Sequence, residues 1–107
     1  MPERIPGVIV TYFPDAEFEV RLGAIAREVS PVLVVDNTAD AAASDRLAAI
    51  CGRGGGRLLL NASNLGSAAA LNRGFGELEK SGCVWAVAFD QDSHRINVLP
   101  EAAPAAS

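Results

Sequence analysis

Val84-Trp85-Ala86-Val87-Ala88-Phe89-Asp90-Gln91-Asp92-Ser93 is the stretch on which the reading of this chain turns. Its apolar run shows no polar alternation, so a strand here is predicted to be buried on both faces. That is the situation of a parallel strand sandwiched between helices. The run ends in two carboxylates one residue apart. Side chains alternate along a strand, so Asp90 and Asp92 share a side if the extended geometry persists. Two anions so placed repel unless a cation sits near them, and a hard divalent metal with oxygen ligands answers that need. A pair of solvated aspartates at a turn is the alternative reading of the same residues.

Working outward, three more apolar runs end the same way. Gly7-Val8-Ile9-Val10-Thr11-Tyr12 reads as a first strand that leaves through Phe13-Pro14-Asp15, where proline cannot continue a ladder. Phe18, Leu22, Ile25 and Val29 then recur at helical spacing until Ser30-Pro31. Val32-Leu33-Val34-Val35 is a second buried strand, ending in Asp36-Asn37-Thr38. A short helix is predicted from about Ser44 to Cys51, followed by Gly52-Arg53-Gly54-Gly55-Gly56. That glycine run follows a helix and precedes a strand, whereas a phosphate loop needs the reverse, so it reads as a helix stop. Arg57-Leu58-Leu59-Leu60 is a third strand, leaving through Asn61-Ala62-Ser63-Asn64-Leu65-Gly66. Ser67 to about Ser81 reads as a helix with Leu71, Phe75 and Leu78 on one stripe.

The order β-α-β-α-β-α-β with short connections predicts an α/β fold, a parallel Rossmann-like sheet with helices on both faces. Ligands in such sheets bind outside the carboxyl ends of the strands. All four runs discharge polar residues toward that rim, and this convergence predicts a ligand site there.

Totals limit the partners. The chain has 107 residues, enough for one domain burying roughly 60–70% of its unfolded surface. Half of the residues are hydrophobic and 21% are charged, a globular composition. A net charge of −4, with one lysine and eight arginines, argues against nucleic acid or an anionic membrane held by bulk electrostatics. No apolar run reaches the ~18–20 residues of a membrane span, and Met1-Pro2-Glu3-Arg4 lacks the apolar segment of a signal peptide. Cys51 and Cys83 are far apart beside apolar residues, which fits buried thiols in a reducing, cytoplasmic setting.

Three nucleotide or metal folds fail on particular residues. A dinucleotide-binding domain would suit Asp36, but Thr11-Tyr12-Phe13-Pro14 has no glycine for a pyrophosphate to approach. A haloacid-dehalogenase-type phosphatase places its Asp-x-Asp on the first strand of the core, not the last. An EF-hand requires further oxygen ligands at loop spacing, and none follows.

What remains is a specific combination. Val8-Ile9-Val10-Thr11-Tyr12-Phe13-Pro14, Val34-Val35-Asp36-Asn37, Asn64-Leu65-Gly66-Ser67-Ala68-Ala69-Ala70-Leu71-Asn72-Arg73-Gly74 and Phe89-Asp90-Gln91-Asp92-Ser93 occur in that order. Together they resemble the family 2 inverting glycosyltransferases, closest to rhamnosyltransferase-like members that use dTDP-sugars. The resemblance covers about residues 5 to 93. It implies the nucleotide-sugar-binding half of a GT-A fold, with strand order 3-2-1-4, acting in cell-surface polysaccharide synthesis on a dTDP- or UDP-sugar.

On that resemblance Thr11, Tyr12 and Pro14 line the base pocket, and Asp36 accepts a hydrogen bond from the pyrimidine N–H. Asn64 and Gly66 lie along the nucleotide, and Asn72 sits near the base or ribose. Asp90 holds the ribose hydroxyl, and Asp92 coordinates Mg²⁺ or Mn²⁺ on the diphosphate. His94 is a further metal-ligand candidate and Arg95 a phosphate contact. The family continues past its acidic motif into an acceptor-binding half that carries an Asp or Glu general base. Here Ile96-Asn97-Val98-Leu99-Pro100 leads into Glu101-Ala102-Ala103-Pro104-Ala105-Ala106-Ser107, so no base is named. Residues 96–107 read as an alanine–proline tail outside a domain of residues 1–95. With that half absent, the fourth strand is expected to be an exposed edge, predicting homo-oligomerisation through 84–89. A non-catalytic nucleotide-binding module and a decayed gene product are the two other classes of reading.

Overall fold

The computed structural model describes residues 5–83, 85–90 and 95–100. β1 (Gly7–Thr11), α1 (Phe18–Ala26), β2 (Val32–Asp36), α2 (Ala41–Gly54), β3 (Gly56–Leu60), α3 (Ser67–Lys80) and β4 (Trp85–Asp90) alternate along the chain. β3, β2, β1 and β4 lie side by side in that order, and every pairing among them is parallel. This is the expected α/β arrangement with order 3-2-1-4.

The apolar runs explain why both faces of the sheet are covered. Ile9, Val34, Val87 and Phe89 pack on one face against Phe18, Leu22 and Ile25 of α1 and Leu47, Ile50 and Cys51 of α2. Val8, Leu33, Val35, Ala86 and Ala88 pack on the other against Ala70, Phe75 and Leu78 of α3. Successive residues of β1, β2 and β4 thus enter different cores, as side-chain alternation requires. Each fully buried leucine or phenylalanine contributes about 1.5–3 kcal/mol relative to an exposed one.

Helix ends follow from local chemistry. Asp40 caps α2, its Oδ2 accepting from the Ala43 N–H at 3.0 Å. This draws the helix start back to Ala41, three residues before the predicted one. Gly55, at φ +85°, closes α2 in a left-handed conformation while its N–H reaches the Cys51 carbonyl. The helix stops at Gly55, so Gly52-Arg53-Gly54 still belong to α2 and the stop comes three residues later than the predicted end at Cys51.

Two expectations at the other end of the sheet need correction. Residues 95–100 form a fifth strand, β5 (Arg95–Pro100), which pairs antiparallel with β4 from Trp85↔Pro100 to Phe89↔Arg95. The segment read as a tail therefore begins with sheet, and residues 101–107 lie outside the described residues. β4 is also not an exposed edge, because β1 flanks it on one side and β5 on the other. Self-association through residues 84–89 loses its physical basis. Ile96 and Val98, two apart, carry the strand signal that the nearby alanines and prolines masked.

Candidate functional site

A cleft of about 380 Å³ opens at the carboxyl ends of the strands, lined by Val10, Thr11, Tyr12, Asn37, Asn64, Gly66 and Ser67. Three separated segments build it. The exits of β1 and β2 form one side, and the loop into α3 forms the other.

β1 and β2 end in register, Thr11 opposite Asp36. The Thr11 hydroxyl donates to Asp36 Oδ1 at 2.7 Å, and the Thr38 hydroxyl donates to the same oxygen at 2.8 Å. Thr38 Oγ1 in turn accepts the Phe13 N–H at 2.7 Å. That bond holds Phe13 at φ +43°, a conformation a bulky side chain rarely adopts. Tyr12 and Phe13 are each about half exposed and meet edge to face, their ring centroids 5.0 Å apart. An aromatic pair is thus held open to solvent at the cleft mouth, where one ring face can stack on a flat ligand.

Asp36 lies beneath the cleft rather than in its wall. It follows Val34 into the layer shared with α2, and its charge helps to push the Cys51 thiol up to about 11, after the larger effect of burial. The carboxylate is 1% exposed, and among the described residues nothing donates to its Oδ2. Asn37 takes the opposite side, as the next residue must, and stands in the cleft wall.

The loop into α3 is fixed by two asparagines, Asn64 within it and Asn37, whose side chain bonds the Leu65 N–H and the Gly66 carbonyl. Asn64 Oδ1 accepts the Gly66 N–H at 2.9 Å, an i to i+2 turn that asparagine favours. Gly66 then adopts φ +85°, ψ 162°, a region essentially restricted to glycine. Among the described residues no side chain caps α3, which leaves the first-turn N–H groups beyond Gly66 facing the cleft. The positive end of the helix dipole favours an anion there.

The fold therefore brings Thr11, Tyr12, Asn64 and Gly66 into one cleft. Pro14 lines a separate depression of about 330 Å³ with Asp15, Glu19, Arg46 and Arg53. There Arg53 grips Glu19 at 2.7 and 3.0 Å and holds its carboxyl below the usual range. Asn72 is exposed on α3 and is not among the cleft-lining residues. The backbone of Asp90 pairs in register with Val10, a wall residue, so the acidic motif starts beside the cleft. Asp92 and His94 lie outside the described residues, and Arg95 opens β5. Among the described residues no group of three or more His, Cys, Asp or Glu side chains is placed to hold a metal.

Comparison of the chain with protein-family profiles and with curated proteins finds no match in either. Function must therefore be argued from the site itself.

Asn37, Asn61 and Arg73 are cleft-building residues that the sequence reading did not assign. Asn61 is 5% exposed and Asn37 is 3% exposed, and they hydrogen-bond each other at 2.7 Å. A signal for Asn37 was present. Whichever face Asp36 takes at the strand end, its neighbour takes the other.

Proposed function

We propose that the rim cleft binds the nucleoside diphosphate of a dTDP- or UDP-sugar. On this reading the chain is the nucleotide-sugar-binding half of a family 2, GT-A-type glycosyltransferase. One observation carries it. Thr11 and Tyr12, at the exit of β1, meet Asn64 and Gly66 across a cleft that opens on the uncapped N-terminus of α3. An aromatic face suits a base, and free helix amides suit phosphate oxygens.

The register of Asp90 on Val10 supports the same reading, because it sets the backbone of the first residue of the Asp-x-Asp motif beside a residue of the cleft wall. Asp92 is the residue that would hold Mg²⁺ or Mn²⁺, which supplies positive charge to a departing diphosphate. Thr11 and Tyr12 would seat the base, while Asn64 and Gly66 would order the loop that meets the nucleotide.

Calorimetric titration of UDP and dTDP with and without Mn²⁺ tests this. Saturable binding, strengthened by Mn²⁺ in the native chain but not in Asp92→Asn, is expected. Absence of saturable binding by either nucleotide would end the proposal. Binding without sugar transfer or donor hydrolysis would identify a non-catalytic nucleotide module.

A further inference from the structure

A chain of polar side chains runs from the surface of α3 to the cleft wall, and its chemistry fixes its own direction. Arg73 sits at one end and can only donate. Its Nη1 reaches the Leu60 carbonyl at 2.9 Å and also the side-chain oxygen of Asn61. The Asn61 amide must therefore turn its NH₂ the other way, where Nδ2 donates to Asn37 Oδ1 at 2.7 Å. The Leu65 N–H donates to the same oxygen at 3.3 Å, which occupies both of its lone pairs. Asn37 Nδ2 then donates one hydrogen to the Gly66 carbonyl at 3.2 Å. Its second hydrogen has no partner among the described residues, and Asn37 is part of the cleft wall. Asn37 can thus offer a ligand an N–H and nothing else.

We propose that Asn37 is a specificity-determining residue of the rim cleft, donating to the C4 carbonyl of a uracil or thymine base. The Leu65 N–H and the Gly66 carbonyl hold the two ends of the amide and keep this N–H turned toward the ligand. The inference rests on the nucleotide reading and deepens it. Uracil and thymine carry an acceptor at C4, whereas cytosine carries an amino group there, and a donor facing a donor leaves both unpaired. A site built around such a bond discriminates against the mismatched partner by about tenfold or more. The role expected of Asp36 differs in kind, since a carboxylate can only accept.

The test is calorimetry of UDP and CDP on the full chain. The native protein should bind UDP at least about tenfold tighter than CDP. Asn37→Ala removes the donor and should bring the ratio toward one, whereas Arg73→Met, which leaves the Leu65 and Gly66 bonds to the Asn37 amide in place, is the control and should keep it. In Asn37→Asp the wall residue becomes an acceptor, and the preference should invert. Thermal melts by circular dichroism establish that each variant is folded, and Arg73 is exposed, so its substitution leaves the core untouched. Equal affinity of the native chain for UDP and CDP overturns this proposal while leaving the nucleotide reading standing. So does an Asn37→Asp protein with an unchanged ratio. Failure to bind either nucleotide overturns both.

Discussion

Asp36 and Asn37 are adjacent in sequence and serve opposite sides of the sheet. The carboxylate ties the β1 and β2 exits together from below, through the hydroxyls of Thr11 and Thr38. The amide faces the cleft. One consequence of the buried charge is measurable at Cys51. This thiol is 2% exposed, and burial, followed by the charge of Asp36, pushes it up to about 11 from its ordinary value of 9.0. The folded state thus keeps its proton through a range in which the unfolded chain has lost it. The contribution to stability is complete below about pH 9 and falls away as pH rises to about 11, by on the order of 2–3 kcal/mol. Urea unfolding of the native protein and of Cys51→Ala across pH 8 to 11 should show a steeper decline in the native protein. Parallel declines would contradict this. At this scale the sequence was a partial guide. A carboxylate after an apolar strand draws attention as a ligand group, but not as the brace that Oδ1 provides between the strand exits, nor does it point to the neighbour that stands in the wall.

Among the elements, α3 shows how closely helix and sheet approach. A Cβ at Gly74 would come within 2.7 Å of Val8 Cγ1 and 3.1 Å of Val35 Cγ2, both buried side chains. Gly74→Ala is therefore expected to push α3 off the sheet and lower stability by about 1–3 kcal/mol. Gly76, two residues along the same helix, has nothing within 4 Å of its Cβ position. Gly76→Ala should instead raise stability by up to about 1 kcal/mol, since alanine is the better helix former. Thermal melts of the two variants decide the matter, and a shift of the same sign in both would refute the packing account. The helical stripes of α1 and α3 were legible because Phe18, Leu22 and Ile25, and likewise Phe75 and Leu78, recur at the helical period and are buried. The start of α2 was not legible. Ala41, Ala42 and Ala43 carry little apolar pattern, and a cap at Asp40 sets the boundary there. β5 was missed because six residues beside an alanine–proline segment offer a weak signal until β4 supplies a pairing partner.

At the scale of the molecule, the parallel order β3-β2-β1-β4 places the exits of these four strands on one rim, and α3 starts there. That arrangement was readable because four unalternating apolar runs, joined by short helical segments, admit few other topologies. The antiparallel β5 completes the sheet beyond β4 and removes the apolar edge that the sequence alone suggested. No helix among the described residues is long and apolar enough to cross a membrane. The most direct test of the central claim is amide NMR of the chain titrated with UDP and Mg²⁺. Saturable shifts should concentrate at Thr11, Tyr12, Asn37, Asn64, Gly66 and Ser67, with the far ends of the strands unmoved. Saturable shifts confined to other surfaces, or no saturable shift at all, would contradict a nucleotide site at the carboxyl rim.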